Sequence, residues 1–449
     1  MSQDTVGKII SPALASGFRD YLPADMIPRQ WMLDTIRSVF ERFGFLPLDT
    51  SGIEREEVLT GGDPDFKKQI YRASLRSEFS SLALRFDLTV PLARVVSLYP
   101  DEISRPFKRY QMGKVWRGEK PQAGRFCEFM QFDADIVGSN RISADAEIIS
   151  LMYETLTALG VTNFKINVNN RKILNGLAAY VGFPAELSTD VLRTIDKLGK
   201  IGWDGVEDEI LSLLKGSFTV EQSKKLQDFV DLRGSNEDVI NSVLAMMKDS
   251  PQAVEGAWEL GDTTTLVDAL GVPRNAWQID LAVARGLGYY TGTVFETTLL
   301  DLPSIGSVFS GGRYDDLVSR FCKDSIPAVG ASVGVDRLFA ALETLNLVPK
   351  RKTNTKVVVL NFEADSEAYC SQIVGILRRA GISTELYLGK EKSVKGQLTY
   401  ALKQEVPVIV IAGGRERDTK TAQVKDVEKR TQVAVPIEQL PEFIKAITG

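Results

Sequence analysis

Arg109-Tyr-Gln-Met-Gly-Lys-Val-Trp-Arg117-Gly-Glu-Lys-Pro-Gln-Ala-Gly-Arg125-Phe-Cys-Glu-Phe-Met-Gln131-Phe-Asp-Ala-Asp135 decides the fold. From Arg109 to Arg117, and again from Glu128 to Val137, charged or polar residues alternate with apolar ones. That period belongs to strands with one face in a core and one face open. Between them, Gly118 to Gly124 has its own turn residues and reads as a loop. The pair predicts an antiparallel sheet, and Leu82-Ala-Leu-Arg-Phe-Asp87 alternates in the same way and reads as another of its strands.

Working outward, Asp25 to Phe43 carries apolar residues at helical spacing, Gly44 ends it, and Phe45 to Leu48 is extended. Ser143 to Leu159 predicts a helix and Phe164 to Val168 a strand. From about Lys172 to Leu270 the pattern becomes short amphipathic helices with Gly and Pro breaks, as in an inserted helical domain. Strand character returns at Gln278 to Val283 and Thr293 to Leu299, followed by a glycine-rich turn at Ser310-Gly311-Gly312. Val329 to Val333 then feeds a helix from Asp336 to Leu345. Pro349 to Asn354 is a polar linker. Beyond it, β-rich runs at Val357 to Leu360, Thr384 to Tyr387 and Val408 to Ile411 alternate with helical patterns, an α/β unit with a parallel sheet. The expected division is 1–171 and 273–348 for the sheet domain, 172–272 for the insertion and 355–449 for the last domain.

Composition removes much chemistry. Among 449 residues there is no histidine, which excludes Ser-His-Asp and Cys-His nucleophilic sites, HExxH zinc sites and histidine proton shuttles. Three separated cysteines make neither a disulfide framework nor a thiolate zinc site, and fit a reducing cytoplasm. With no long apolar run and no secretory-type start, the expectation is a cytoplasmic protein without a membrane span. Net charge is −5, yet residues 351–449 hold 16 Lys and Arg against 12 Asp and Glu. An acidic body with a basic end is compatible with a polyanion reaching one face.

What remains is chemistry of positioning and charge, such as nucleotidyl transfer. There is no P-loop, and Gly286-Leu-Gly-Tyr-Tyr-Thr-Gly292 misses the dinucleotide fingerprint by one residue. Phosphate binding would therefore rest on side-chain arginines. Arg117 and Arg125 flank the loop, Arg285 precedes the Tyr-Tyr turn, and Arg337 opens a helix. Guanidinium groups grip phosphate oxygens bidentately and keep their charge.

These residues resemble a family. Arg109 to Asp135 looks like motif 2 of class II aminoacyl-tRNA synthetases in its histidyl form, and Gly330-Ala-Ser-Val-Gly-Val-Asp-Arg337-Leu looks like motif 3. Ala284-Arg-Gly-Leu-Gly-Tyr-Tyr-Thr-Gly-Thr-Val-Phe-Glu296 and Ser310-Gly-Gly-Arg-Tyr-Asp315 resemble the two histidine signatures of histidyl-tRNA synthetases. Gly17 to Pro23 and Asn169 to Asn175 are similar to that family's amino-terminal segment and its run before the insertion. The resemblance implies an α+β fold: an antiparallel-sheet catalytic domain with a helical insertion, and a C-terminal α/β anticodon-binding domain. It implies ligation of L-histidine to tRNA(His) through a histidyl-adenylate, with ATP and Mg2+, in a homodimer that binds no DNA.

Carried over by motif position, Asp87, Thr89 and Gln131 hold the α-amino group, while Asp135, Tyr290 and Tyr314 read the imidazole, with Tyr289 and Arg285 also in the histidine site. Arg117, Glu119, Arg125 and Arg337 belong to ATP, and Arg117 and Arg285 are the catalytic cations, Arg285 doing part of what a metal does in sister enzymes. No metal is held by protein side chains alone. Gln122, Arg415 and Arg417 are expected at tRNA, with Lys420 and Lys425 as further candidates. Three positions depart from the family pattern: Cys127 replaces a basic residue, Gly288 an acidic one, and Ser51 the motif 1 proline. The competing readings are a non-catalytic paralogue that binds histidine or tRNA in regulation, and a class II synthetase for another amino acid.

Overall fold

In chain order the first strands are Leu46–Pro47 (β1), Ile53–Arg55 (β2), Arg72–Ala73 (β3), Leu82–Leu84 (β4), Phe107–Trp116 (β5) and Glu128–Val137 (β6). Phe164–Asn170 (β7), Trp277–Ile279 (β8), Thr293–Leu299 (β9), Ser307–Arg313 (β10) and Ala328–Gly334 (β11) follow. The computed structural model describes residues 10–61, 69–74, 81–119, 126–286 and 288–448. These form two compact units, one holding 34–347 with the described part of the first nineteen residues, the other holding 20–33 and 348–448.

In the larger unit, eight strands make one sheet in the order β1-β5-β6-β11-β10-β9-β7-β8. Pairing is antiparallel except for the outer pairs β1·β5 and β7·β8. The alternation quoted above divides β6 as expected: Phe132, Ala134 and Ile136 are buried in the core, and the Phe132 ring packs 5.0 Å from Phe40. Gln131, Asp133 and Asp135 occupy the alternate positions, which in a strand share the opposite face.

Two local expectations are corrected. Leu82–Leu84 does not join the large sheet; it is the middle strand of a small sheet, β2-β4-β3. The chain leaves that ladder at Arg85, whose buried guanidinium donates to the carbonyls of Thr50 and Lys114 at 2.7 and 3.0 Å. Ser310-Gly311-Gly312 is not a turn but the interior of β10. The glycines answer a packing demand: a Cβ on Gly311 would lie 2.0 Å from the Gly330 carbonyl oxygen, and one on Gly312 would lie 3.0 Å from the Tyr290 ring.

Between β7 and β8 the described chain is helical, with main helices Leu198–Leu213, Val220–Val230, Asn236–Met246 and Pro251–Ala269. Thr219 with Gln222, and Ser235 with Asp238, close capping boxes at two of their starts. The smaller unit has strands Val357–Val359 (β12), Thr384–Leu386 (β13), Val408–Ile411 (β14), Thr421–Asp426 (β15) and Thr431–Pro436 (β16), in the order β13-β12-β14-β15-β16. The first three are parallel, with β12 and β14 apolar on both faces, but β15 and β16 run antiparallel, so the sheet is mixed rather than parallel. Neither of these last two is among the strands read from the sequence: β15 buries only Ala422 and Val424, and β16 is exposed except at Val435.

Candidate active site

A cavity of about 280 Å3 opens on the polar face of β6, β10 and β11. The antiparallel register builds its floor in one row, with Arg109 opposite Asp135, Asp135 opposite Gly330, and Gly330 opposite Gly312. A Cβ on Gly330 would lie 2.0 Å from Asp135 Oδ1, so only glycine leaves that carboxylate its place. Gly286, at φ +68°, plays the same part for Tyr290, whose ring stands 1.7 Å from where a Cβ would be.

Asp135 is buried and held from two sides. Arg109 Nη2, fully buried, is 2.8 Å from its Oδ2, and the Tyr314 hydroxyl donates to Oδ1. The ion pair is not aligned as a hydrogen bond, so Oδ2 remains an unfilled acceptor. Gln131 donates from Nε2 to Ser332 Oγ at 2.8 Å, leaving its buried Oε1 without a donor. Asp87 Oδ1 accepts the Val90 amide at 3.1 Å, capping the helix Thr89–Leu98. Tyr289 packs edge-on against Tyr290 and Tyr314, with ring centres 4.7 and 6.3 Å apart.

Burial dominates the electrostatics. It raises Asp87 and Asp135 above the ordinary carboxylate range, against the pull of Val90 and Arg117 on the first and of Arg109 and Tyr314 on the second. Asp133, whose Oδ1 has no donor, is pushed up to about 7 by burial, with Arg109 opposing and Asp135 adding to the rise. Tyr289 is pushed up to about 12 and Tyr290 and Tyr314 well above 10, again by burial first. A pocket of unfilled carboxylate and amide oxygens, walled by neutral tyrosines, suits a ligand that brings N–H donors and positive charge.

A second cavity of about 340 Å3 shares Arg117, Gln131, Ser310 and Ser332 with the first. Three arginines border it. Arg117 donates to the Phe86 carbonyl at 3.2 Å and stacks 5.0 Å from the Phe129 ring centre. Arg337 donates to the Ser307 carbonyl at 2.6 Å, and Arg285 pairs with Glu296. Asp336 accepts the Met130 amide at 2.9 Å, tying the helix start to β6. Two adjoining cavities, one acidic and one edged with guanidinium groups, can bring an ammonium-bearing carboxylate beside a polyphosphate.

The structure therefore brings Asp87, Thr89, Arg117, Gln131, Asp135, Tyr289, Tyr290 and Tyr314 around the first cavity, and Arg117, Glu119, Gln131, Arg285 and Arg337 around the second. Arg285 borders only the second. Gln122 and Arg125 lie outside the described residues. In the smaller unit, Arg415 and Arg417 fall on the exposed helix Gly414–Thr419, and Lys425 falls on β15. Arg417 Nη1 donates to the Asp365 carbonyl at 2.9 Å. Asp133, Ser310 and Ser332 have no role in the sequence reading, although the two-residue period of β6 puts Asp133 on the face of Gln131 and Asp135. Among the described residues, no group of three or more Asp, Glu or Cys could hold a metal ion, and no helix is long and apolar enough to cross a membrane.

An antiparallel sheet crossed by these arginines, with a C-terminal α/β unit, is the class II aminoacyl-tRNA synthetase fold. Residues 17–338 match the histidyl-tRNA synthetase family model, residues 356–447 match the anticodon binding domain, and the chain belongs to the histidyl-tRNA synthetase family. It is 40% identical over 443 residues to a histidine–tRNA ligase of Clostridium tetani, covering 97% of this chain and 99% of that one. A histidine–tRNA ligase of Wolinella succinogenes is 42% identical over 423 residues, 94% and 95% of the two chains. The crystal structure of histidyl-tRNA synthetase from Nostoc sp. PCC 7120 superposes with a TM-score of 0.86 at 35% identity, covering 98% of this chain and all of that one.

Proposed function

We propose that this ligase, which joins L-histidine to tRNA(His) at the expense of ATP, activates histidine in the first cavity and holds ATP in the second. The observation that carries the reading is Asp135: a buried carboxylate with one filled and one unfilled oxygen, at the end of a pocket whose other end meets the arginines. Asp87, Thr89 and the unfilled Gln131 Oε1 receive the α-ammonium, and Asp135 with Tyr290 and Tyr314 receives the imidazole. The substrate carboxylate then faces the second cavity. Its attack on the α-phosphorus forms the acyl–phosphate bond of histidyl-adenylate as the α–β phosphoanhydride breaks and pyrophosphate leaves, and it needs no enzyme base, because a carboxylate is ionised at neutral pH. Arg117, Arg285 and Arg337 offset the repulsion between two anions and the charge that develops in flight. Arg125 and Glu119 belong to the ATP side of the same arrangement.

ATP brings Mg2+ with it, and the carboxylates bordering that cavity, Glu119 and Asp336, are oxygen donors of the kind the ion takes alongside phosphates and water. The ion supplies further neutralisation of the phosphates. The transfer step places tRNA on Gln122 and on the basic side of the smaller unit, where Arg415 and Arg417 are exposed. The domain division at 171/172, 272/273 and the 349–354 linker, a homodimer and a cytoplasmic site complete the reading. The chain's similarity over nearly full length to ligases supports catalysis, and no observation favours the paralogue that only binds.

ATP–pyrophosphate exchange measured with each of the twenty amino acids tests the reading. Exchange with histidine alone is expected. Exchange with another amino acid, or with none, would overturn it.

A further inference from the structure

On the far side of Tyr289 and Tyr290 lies a third cavity, of about 290 Å3, that neither histidine nor ATP uses in the reading above. The two tyrosines line both this cavity and the first one, so they form a shared wall. Arg171 and Arg320 border it, with Asn175. Arg171 is 91% buried. Its backbone amide is satisfied by the Gly292 carbonyl at 2.8 Å, but Nη1 of its side chain has no hydrogen-bond partner, and among the described residues no carboxylate pairs with the guanidinium. The other buried arginines described in this unit each have a carboxylate within 4.0 Å, Arg85 with Asp49, Arg109 with Asp135 and Arg313 with Asp145, so what sets Arg171 apart is the missing counter-charge rather than an unpartnered nitrogen, which Arg109 also has. A buried, unpaired guanidinium is costly unless something fills its donors. Arg320 is exposed and likewise makes no ion pair among the described residues. The carboxylate that borders the cavity, Asp316, is within 4.0 Å of neither arginine.

We propose that this cavity is a binding site for a small oxyanion of the phosphate class, held between Arg171 and Arg320, with Asn175 as a further donor. An oxyanion in the cavity supplies the counter-charge that Arg171 lacks, and the fork of a guanidinium matches two oxygens of a phosphate at once. Because the site backs onto Tyr289 and Tyr290, an anion there restricts the same two rings that wall the histidine pocket. Occupancy and histidine affinity are thus coupled, and reciprocally so. Nothing in the activation step calls for an anion at this position.

The test is the dissociation constant of histidine, by equilibrium dialysis of the full-length protein without ATP, in the presence and absence of orthophosphate. In the parent protein phosphate is expected to shift the constant by about fivefold or more. Arg171→Gln and Arg320→Gln are each expected to abolish the shift, while Arg320→Gln binds histidine as the parent does when phosphate is absent. If Arg171→Gln fails to fold, Arg320→Gln decides by the same criterion. No shift in the parent protein, or a shift that survives in a folded variant because phosphate acts at the ATP-side arginines, overturns the proposal. Histidine binding without phosphate is the internal control, so failure of the anion site and failure of the histidine reading are distinguishable.

Discussion

Arg285 Nη2 lies 2.6 Å from Glu296 Oε1, so the cation that edges the wider cavity is already neutralised by its neighbour on β9. Asp196, at the end of a helix between β7 and β8, sits 3.8 Å from its Nε. Burial pushes Glu296 above the ordinary carboxylate range while Arg285 pulls it back. A polyphosphate in the proposed ATP cavity would have to compete with a carboxylate for this guanidinium, and the ion pair holds the arginine in one orientation beforehand.

Arg285→Ala should lower histidine-dependent ATP–pyrophosphate exchange by about 10²–10³, the usual loss for one charge-stabilising donor. Circular dichroism should show an unchanged fold, because the side chain is only partly buried. Exchange close to that of the parent would remove Arg285 from the activation step.

Asp135→Ala leaves Arg109 fully buried without its carboxylate, and should cost about 3–5 kcal/mol in denaturant unfolding. Asp135→Asn also removes Arg109's counter-charge but keeps an oxygen acceptor for Tyr314 and leaves no void, so it should lose less stability than the Ala variant, with its fold checked by circular dichroism. Its histidine activation should nonetheless fall steeply, since a site built around a buried polar partner discriminates by about 10⁴–10⁵. Normal activation of histidine by the Asn variant would reduce Asp135 to a structural carboxylate.

Asp133 gives a pH prediction with a definite sign. Its value rises from 3.8 to about 7 on folding, so the folded chain keeps a proton that the unfolded chain has released. The proton's contribution to stability is complete below the unfolded value and disappears as pH climbs through about 7. Relative to the parent, Asp133→Asn should gain melting temperature progressively between about pH 4 and about pH 7, with the gain levelling off above that. Histidine KM in the parent should rise as pH falls below about 7, because protonation removes negative charge from the ammonium's pocket, and the Asn variant should flatten that rise. A stability difference independent of pH would place the titration elsewhere.

Paired substitution of Arg415 and Arg417 by Ala should weaken tRNA charging while leaving pyrophosphate exchange unchanged. If both meet phosphates, the salt dependence of tRNA binding should also lose about one unit of slope per residue. Equal loss of charging and exchange would assign them to the fold of their own unit, where Arg417 already holds the Asp365 carbonyl.

Much of this was legible in the sequence, because the strands that carry the site are half-exposed and their alternation survives. Glu128 to Val137 is read with the same ends in both, and Thr293 to Leu299 likewise. Illegible were features whose cause is long-range. Ser310-Gly311-Gly312 looks like a turn until Gly330 and Tyr290 arrive from elsewhere in the chain and exclude any side chain. Leu82 to Asp87 keeps a strand's period but leaves its ladder at Arg85, a choice made by the Thr50 and Lys114 carbonyls. Asp133 shares a face with Asp135 by simple strand periodicity, but its burial and unfilled oxygen depend on packing that the sequence does not display.

Gly311, Gly312 and Gly330 leave the pocket a bed of bare main chain, and this bears on how its selectivity could change. Such a bed offers no side chain to trim, so point substitution there can only intrude: any added carbon meets Asp135, Tyr290 or a neighbouring carbonyl. Among the large side chains that could be trimmed are Phe86, Tyr289, Tyr290 and Tyr314, and Tyr314 is bonded to the acidic residue proposed to recognise the ligand. A variant that trimmed Tyr314 to admit a bulkier amino acid would disturb its own recognition group. Engineering toward new substrates should therefore begin at Tyr289, the tyrosine farthest from that bond in role, and leave the glycine row untouched.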